Sequence, residues 1–162
     1  MPGGKVGSEA KARPVAEAKA GDRLSLSIQY AVKDDSLPTR AEVRKWVRAT
    51  QPGAAELTVR FVEAEEGRRL NAQFRGKDYA TNVLTFPYAR EPVLAGDIVL
   101  CLPVMLREAA QQGKPTAAHF AHLVVHGMLH LQGYDHETGD DARAMEHKER
   151  GILARLGFPD PY

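Results

Sequence analysis

The segment HGMLHLQGYDH, residues 126–136, constrains the fold more than any other part of this sequence. It places His126 and His130 four residues apart, which on a helix puts both imidazoles on one face, about one turn apart. Gly133 can adopt a left-handed backbone conformation that ends the helix and turns the chain back, and His136 follows three residues later. The segment therefore predicts a helix that ends near Gly133, followed by a tight return.

Three converging histidines form a suitable donor set for zinc. Two imidazoles at i and i+4 are a geometry by which a helix offers ligands to tetrahedral zinc, and three protein ligands leave the fourth position open, as in catalytic sites. A lone histidine on a helix is more often packed or solvated, but three at these offsets with a glycine at the turn form a specific motif. We predict that His126, His130 and His136 bind one Zn²⁺ per chain.

The histidine spacing is also that of the metzincin zinc proteases, H-E-x-x-H-x-x-G-x-x-H, with one difference. Gly127 occupies the second position, where those enzymes carry the glutamate that acts as general base. The absence of this base argues against proteolysis, because a peptide has a poor amine leaving group that needs a proton. A phosphodiester has a better leaving group, and the 2′-OH of RNA can itself attack the phosphorus.

Other polar residues lie close to the motif and have more than one interpretation. His122, four residues before His126, is equally consistent with packing and with contact to the site or to a substrate; for His119 packing is favoured. Asp135 could orient a ligand imidazole or accept a hydrogen bond from a metal-bound water, and it could equally cap the next turn. His147 lies in a charged helix and is predicted to face solvent.

The segment FRGKD supplies cations in a loop. Gly76 allows the backbone to turn, and Arg75 and Lys77 flank it. An arginine offers a planar fork of donors that fits phosphate oxygens and stays protonated. By itself an Arg–Lys pair in a loop is usually a solvated turn, but beside three histidines it suits an anionic substrate. A peptide substrate would need no such pair.

Apolar periodicity predicts an α+β domain, in which a small mixed β-sheet is packed with helices. Thr39 can cap a helix whose capping box is completed by Glu42, and Pro87 is expected to end the third strand. The predicted strands cover residues 24–32, 55–63, 82–88 and 96–102. The other predicted helices cover residues 64–75, 104–113, 115–133 and 140–157.

Length and composition limit the possible protein classes. The 162 residues are enough for one domain with a sizeable core, and we assign it to residues 23–162. Residues 1–22 are poor in apolar side chains and are expected to be a disordered extension.

The single cysteine excludes an internal disulfide and suits a cytoplasmic protein. No secretory signal and no apolar run of about 20 residues is seen, so no membrane association is expected. The net charge of +1 gives no indication of nucleic-acid binding, which a strongly basic chain would give.

Several long motifs together resemble the YbeY-type bacterial proteins, which are metal-dependent endoribonucleases of ribosomal RNA maturation. The similarity covers roughly residues 24–162, with the small departure that YAT stands where a proline is expected before the threonine. The matching segments are HGMLHLQGYDH, LNAQFRGKDYATNVLTFPY (70–88), GDIVLC (96–101), REAAQQGKP (107–115), HFAHLVVHG (119–127) and LGFPDPY.

The resemblance implies an α+β fold with a metzincin-like zinc site, in which His126, His130 and His136 are the ligands and Arg75 is an important active-site arginine. It further implies cleavage of single-stranded RNA in the cytoplasm, with roles in 16S rRNA 3′-end processing and ribosome quality control. Ribosomal RNA and components of the small subunit are the implied partners. Lys77 and His122 are candidates for substrate binding.

Two alternatives remain at this stage. The first is a zinc metalloprotease with a displaced base, against which Gly127 and Arg75 both count. The second is a ribosome-assembly binding factor whose metal mainly holds the fold. Structural zinc sites usually have four protein ligands, so three histidines with an open position count against that second alternative.

Overall fold

The structure, a computed structural model, describes residues 22–162. The extension predicted over residues 1–22 lies outside this range except for Asp22. Strands and helices follow one another in the predicted order within it. The strands are β1 (Leu24–Tyr30), β2 (Ala55–Val62), β3 (Val83–Ala89) and β4 (Leu94–Cys101). The helices are α1 (Arg40–Thr50), α2 (Ala64–Arg75), α3 (Leu102–Gln112), α4 (Thr116–Leu131) and α5 (Gly139–Arg155).

The described strands form one mixed four-stranded sheet in the order β1-β2-β4-β3. Strands β1, β2 and β4 are parallel, and β3 pairs antiparallel with β4 at one edge. The predicted α+β class is therefore confirmed. The antiparallel edge follows from the chain order, because β3 and β4 are joined directly whereas the parallel pairs are joined through helices.

Strand β3 differs from its prediction at the proline. It was expected to end at Pro87, yet it pairs with β4 as far as Ala89, with a shift of register between Pro87 and Ala89. Proline lacks an N–H, but an edge strand tolerates this because one side of its backbone has no partner strand. Strand β4 also begins two residues earlier than predicted, at Leu94.

The start of α1 confirms the predicted capping box. The Thr39 hydroxyl accepts a hydrogen bond from the Glu42 N–H at 3.1 Å, and the Thr39 N–H donates to Oε1 of Glu42 at 2.8 Å. Both otherwise unpaired N–H groups are satisfied in this way. The helix then directs Val43, Trp46 and Val47 into the core.

Helix α4 is the central helix of the domain, and from His119 onward it is buried except at the partly buried His126 and His130. It packs against α1, α3 and α5, and it also contacts the strands β3 and β4. The approach to the sheet is close at Gly96, where a Cβ atom would lie 2.8 Å from Cδ2 of Leu131 and 2.9 Å from the carbonyl oxygen of Phe86. This packing fixes the C-terminal half of α4, which carries the two helical histidines.

On the other face of the sheet, α2 and the start of α3 cover a smaller cluster of buried residues. Its members are Val62, Leu70, Leu84, Val99, Cys101 and Val104. None of the helices within residues 22–162 has the length and apolar composition needed to cross a membrane.

Candidate metal centre

The structure brings the three predicted ligands together. His126 and His130 project from α4, and Gly133, at φ +106°, turns the chain so that His136 faces them. One ligand atom from each imidazole lies within 4.8 Å of the others. The rings of His126 and His130 are partly buried and that of His136 is exposed, so the group opens toward solvent. This arrangement can hold one metal ion at the protein surface.

The protonation of His130 suits metal binding. Its Nδ1 lies 3.1 Å from the carbonyl oxygen of Tyr134, and a carbonyl only accepts, so Nδ1 carries the proton and Nε2 is left as a donor atom for a metal. Burial and the neighbouring imidazoles of His126 and His136 lower the pKa of His130, against the opposing effect of the Tyr134 hydrogen bond. The imidazole is therefore neutral at pH 7, as metal ligation requires.

Behind the ligands lies a buried carboxylate, Glu149 of α5, whose side chain has no exposed surface. One oxygen, Oε2, accepts a hydrogen bond from Nδ1 of His126. The other oxygen, Oε1, accepts hydrogen bonds from the hydroxyl of Tyr162 and from Nε2 of His122, the latter at 3.4 Å. The carboxylate thus joins the metal centre to two further side chains.

The charge of Glu149 fixes the tautomer of His126. Burial alone would raise the pKa of the carboxyl group, but hydrogen bonds from His122, His126 and Tyr162 outweigh it and lower the pKa to about 2. An ionised carboxylate only accepts hydrogen bonds, so Nδ1 of His126 is the donor and Nε2 is left free to bind a metal. A carboxylate–histidine pair of this kind is a common support for zinc ligands.

Sequence reasoning missed Glu149, although the sequence does contain a signal for it. The residue lies four positions after Met145 and three before Ile152, and both of these are buried. A carboxylate in the middle of the apolar stripe of a helix must find partners inside the protein. The charged appearance of α5 as a whole concealed this single inward-facing position.

His122 is packed in the interior, and it also contacts a residue that supports the histidine group. The side chain is buried, and its ring packs edge-on against the ring of Tyr162 at 5.4 Å. It also contacts the Glu149 carboxylate that supports His126. His122 therefore packs, and in doing so it belongs to the group that stands behind the ligands.

The structure also locates the remaining polar residues around the motif. His119 is buried and its Nε2 lies 2.8 Å from Oε1 of Glu108, in agreement with a packing role. Asp135 accepts a hydrogen bond at 2.7 Å from the backbone N–H of His136, so its contact is with the turn rather than with an imidazole ring. His147 is exposed, as predicted.

Gly127, at the position of the metzincin glutamate, lies against the sheet. A Cβ atom there would lie 3.1 Å from Cγ2 of Ile98 and 3.4 Å from Cγ2 of Thr85. The residue is buried, so the absent side chain allows α4 to approach β4 and β3. The position that would hold a general base in a metzincin is here part of the helix–sheet packing.

We expect Gly127→Glu to destabilise the domain and to produce no peptidase. The new side chain must displace Ile98 and Thr85 and would place a carboxylate in a buried position, so the free energy of unfolding should fall by about 3 kcal/mol or more. Urea denaturation and a casein cleavage assay measure the two effects.

Gly127→Ala is the matched control for that variant. Its methyl group requires Ile98 to move by only a few tenths of an ångström, and alanine gains up to about 1 kcal/mol in helix propensity over glycine. Its stability should therefore stay within about 1 kcal/mol of wild type. A Gly127→Glu protein that is as stable as wild type and cleaves casein would contradict this description of the cleft.

Arg75 and Lys77 lie on either side of the turn that ends α2. Gly76 forms the end of this helix at φ +71°, as expected, and both basic side chains are exposed. Within residues 22–162 neither side chain has a hydrogen bond or ion pair, so both cations are available to a ligand. The preceding residue, Phe74, packs edge-on against Phe86 of β3 at 5.3 Å.

The loop that carries these cations is firmly attached to the domain. The side-chain amide of Asn71 donates to the carbonyl oxygen of Tyr79 at 2.7 Å, and Arg68 pairs with Asp78 at 2.6 Å. Strand β3 also contacts α4, the helix of the histidines. Phe74, next to Arg75, thus packs on an edge strand that in turn contacts the helix of the histidines. In the described part of the chain no direct contact joins Arg75 to the three histidines.

Comparisons with known proteins find relatives over most of the chain, including the three histidines. A family model described as Endoribonuclease YbeY matches residues 27–157, which include all three histidines. A protein named Endoribonuclease YbeY from Aromatoleum aromaticum is 58% identical over 146 residues, covering 88% of this chain and 95% of that protein. Another of the same name, from Nitrosomonas europaea, is 51% identical over 149 residues, covering 92% and 91%. The solution structure of a Thermotoga maritima protein is similar at a TM-score of 0.59 and 30% identity, covering 81% of this chain and 88% of that one.

Proposed function

The chain belongs to the YbeY family of endoribonucleases, and from this premise we propose that it is a zinc-dependent enzyme that cleaves single-stranded RNA. Residues 23–162 are the proposed catalytic unit. The observation that carries the proposal is the solvent-facing group of His126, His130 and His136, supported from behind by Glu149. Three neutral imidazoles favour zinc over magnesium, which prefers oxygen ligands.

The proposed chemistry divides between the metal and the loop after α2. A zinc ion held at this site would supply Lewis-acid catalysis for hydrolysis of a phosphodiester. His126 and His130 would hold the ion through their Nε2 atoms, because their Nδ1 protons are fixed by Glu149 and by the Tyr134 carbonyl. The Arg75 guanidinium is proposed to stabilise charge on the phosphate, and Lys77 to bind a neighbouring phosphate.

The two alternative functions are less well supported. A metalloprotease requires a base close to the metal, and the metzincin position of that base is a glycine packed against Ile98. A purely structural metal is expected to have four protein ligands in a closed site. Here His136 is exposed and the group opens toward solvent, which suits access by a substrate.

We expect the protein to cleave RNA only when metal is bound, and we expect it not to cleave protein substrates. Purified protein is tested as isolated, after chelation, and after reconstitution with zinc or with magnesium. The substrates are single-stranded RNA, the corresponding duplex and casein. Chelation should abolish cleavage of the single strand and zinc should restore it better than magnesium. Casein cleavage, or RNA cleavage unaffected by chelation, would overturn the proposal.

The proposed physiological substrate is the 3′ end of 16S rRNA, with a further role in ribosome quality control in the cytoplasm. The family membership supports this assignment, as does an exposed pair of cations on the loop after α2. A 16S precursor carrying its 3′ extension, free or within small-subunit particles, is the appropriate substrate. Preferential removal of the extension supports the assignment, and uniform cleavage of unrelated single strands counts against it.

A further inference from the structure

We propose that Tyr162 is a positioning residue for the metal centre: its hydroxyl holds the Glu149 carboxylate in the orientation that directs His126 to the metal. Tyr162 lies beyond residues 27–157, which the family model matches. The inference rests on the proposed metal site and adds a residue that supports it. Among residues 22–162 the side chain of Tyr162 contacts Glu149, His122 and Arg150, so its effect on the metal centre passes through Glu149.

The hydrogen-bond arrangement around Glu149 requires a donor on each oxygen. Oε2 is taken by Nδ1 of His126, whereas Oε1 receives the Tyr162 hydroxyl and the longer contact of 3.4 Å from His122. The close partner of Oε1 is therefore the tyrosine. Without it, the buried carboxylate would keep one strong partner and could rotate about its terminal bond, which would loosen its hold on His126.

The hydroxyl of Tyr162 is suited to this role because it remains a donor. Burial, together with the hydrogen bond to Glu149 and the charge on that carboxylate, raises the pKa of Tyr162 above its usual value. The phenol therefore keeps its proton at neutral pH. A positioning contact of this type stays constant while the chemistry proceeds at the metal.

Several contacts hold the ring of Tyr162 in place. The ring packs edge-on against His122 at 5.4 Å, and the guanidinium of Arg150 lies 5.3 Å from the ring centroid. The segment 157–162 is attached to the domain at further points. These are Phe158 edge-on to Trp46, Lys114 Nζ to the Pro161 carbonyl at 2.7 Å, and Arg150 to Asp160 at 3.1 Å.

Another reading of the same atoms is that His122, His126 and Glu149 themselves bind a second metal ion, since their ligand atoms also lie within 4.8 Å of one another. That reading requires Nδ1 of His126 to lose the proton which it donates to Glu149. It also leaves the Tyr162 hydrogen bond unexplained, because a metal ion on the carboxylate would already stabilise its negative charge. The hydrogen-bonded arrangement accounts for the contacts of both His126 and Tyr162 with Glu149, and the metal stoichiometry separates the two possibilities.

Tyr162→Phe tests the proposal, because it removes the hydroxyl and keeps the ring on His122. Zinc affinity is measured by competition with a chelator. Loss of a group that supports a metal ligand typically costs 10–100-fold in affinity, so we expect about 10-fold for Tyr162→Phe and up to about 100-fold for Glu149→Gln. In the double variant the tyrosine change should add little to the glutamate change, because both act through one contact.

Tyr30→Phe is the matched control. Its hydroxyl donates to the Pro38 carbonyl at 2.8 Å and its ring stacks on Phe61, at the sheet edge opposite β3. Both variants lose one partly buried hydrogen bond, so similar losses of melting temperature are expected. Only Tyr162→Phe should weaken zinc binding. Equal zinc affinity in Tyr162→Phe and Tyr30→Phe, or full additivity with Glu149→Gln, would overturn the proposal.

A spectroscopic readout tests the inference without metal. Long-range ¹H–¹⁵N spectra of the metal-free protein report which ring nitrogen of His126 carries the proton. Wild type should show the Nδ1–H tautomer, and Tyr162→Phe should show a mixture with Nε2–H. An unchanged tautomer in Tyr162→Phe counts against Tyr162, whereas failure of wild type to bind zinc would count against the metal site instead. Two zinc ions per chain in wild type would favour the second-metal reading.

Discussion

Replacing both helical histidines, in His126→Ala/His130→Ala, should remove the metal and reduce cleavage of single-stranded RNA by at least about 10³-fold. Each imidazole is one of the three proposed ligands, and His136 alone would offer a single exposed donor. Metal contributes several kcal/mol to the stabilisation of developing charge, and each 1.36 kcal/mol is a factor of ten in rate. Elemental analysis and a single-turnover RNA assay measure the two losses.

The histidine on α5 provides the control for this experiment. His147 is exposed and does not belong to the ligand group, so His147→Ala should keep both zinc and activity. Circular dichroism should show that the double variant remains folded, since α4 is held by its apolar contacts with the sheet and with α1. Zinc bound at wild-type stoichiometry in the double variant would remove the basis of the ligand assignment.

Replacing Arg75 by alanine should lower the rate of RNA cleavage by about 10²–10³-fold while zinc content and melting temperature stay unchanged. The side chain is exposed and has no partner among residues 22–162, so its removal costs the fold little. The loss is expected in the chemical step, because a guanidinium offers a fork of donors to the phosphate oxygens. Arg75→Lys should recover only part of the rate, since an ammonium has no such fork.

Arg69→Ala is the matched control for Arg75→Ala, because Arg69 is an exposed arginine on the same helix, two turns before its end. If general attraction of RNA were the only effect, both substitutions would reduce cleavage equally, and added salt would abolish the difference between each variant and wild type. Arg75→Ala with the rate of wild type, at equal zinc content, would show that another residue stabilises the charge on the phosphate.

The convergence of the three histidines could be predicted because it is local. His126, His130, Gly133 and His136 lie within eleven residues, so helix geometry and one left-handed turn determine their arrangement. The capping box of Thr39 and Glu42 was predictable for the same reason. Each of these features depends on neighbours in sequence, where spacing and backbone conformation are sufficient.

What the sequence did not reveal depends on contacts between distant elements. Glu149 reaches His126 across the packing of α5 on α4, and Tyr162 reaches Glu149 only after the chain has turned back at Gly157. The continuation of β3 past Pro87 likewise depends on its being an edge strand. Hydrophobic periodicity predicts which elements exist, but it does not specify which side chains meet when those elements pack.

The short span of the metal ligands has a thermodynamic consequence. An unfolded chain keeps three histidines within eleven residues, and so it retains measurable affinity for zinc. A ligand stabilises a protein only by the difference between its binding to the folded and to the unfolded chain. The rise in melting temperature on adding zinc is therefore expected to be smaller than the affinity of the folded protein alone implies. That difference in affinity comes from the distant supports of the site, which are present only once the whole domain has formed.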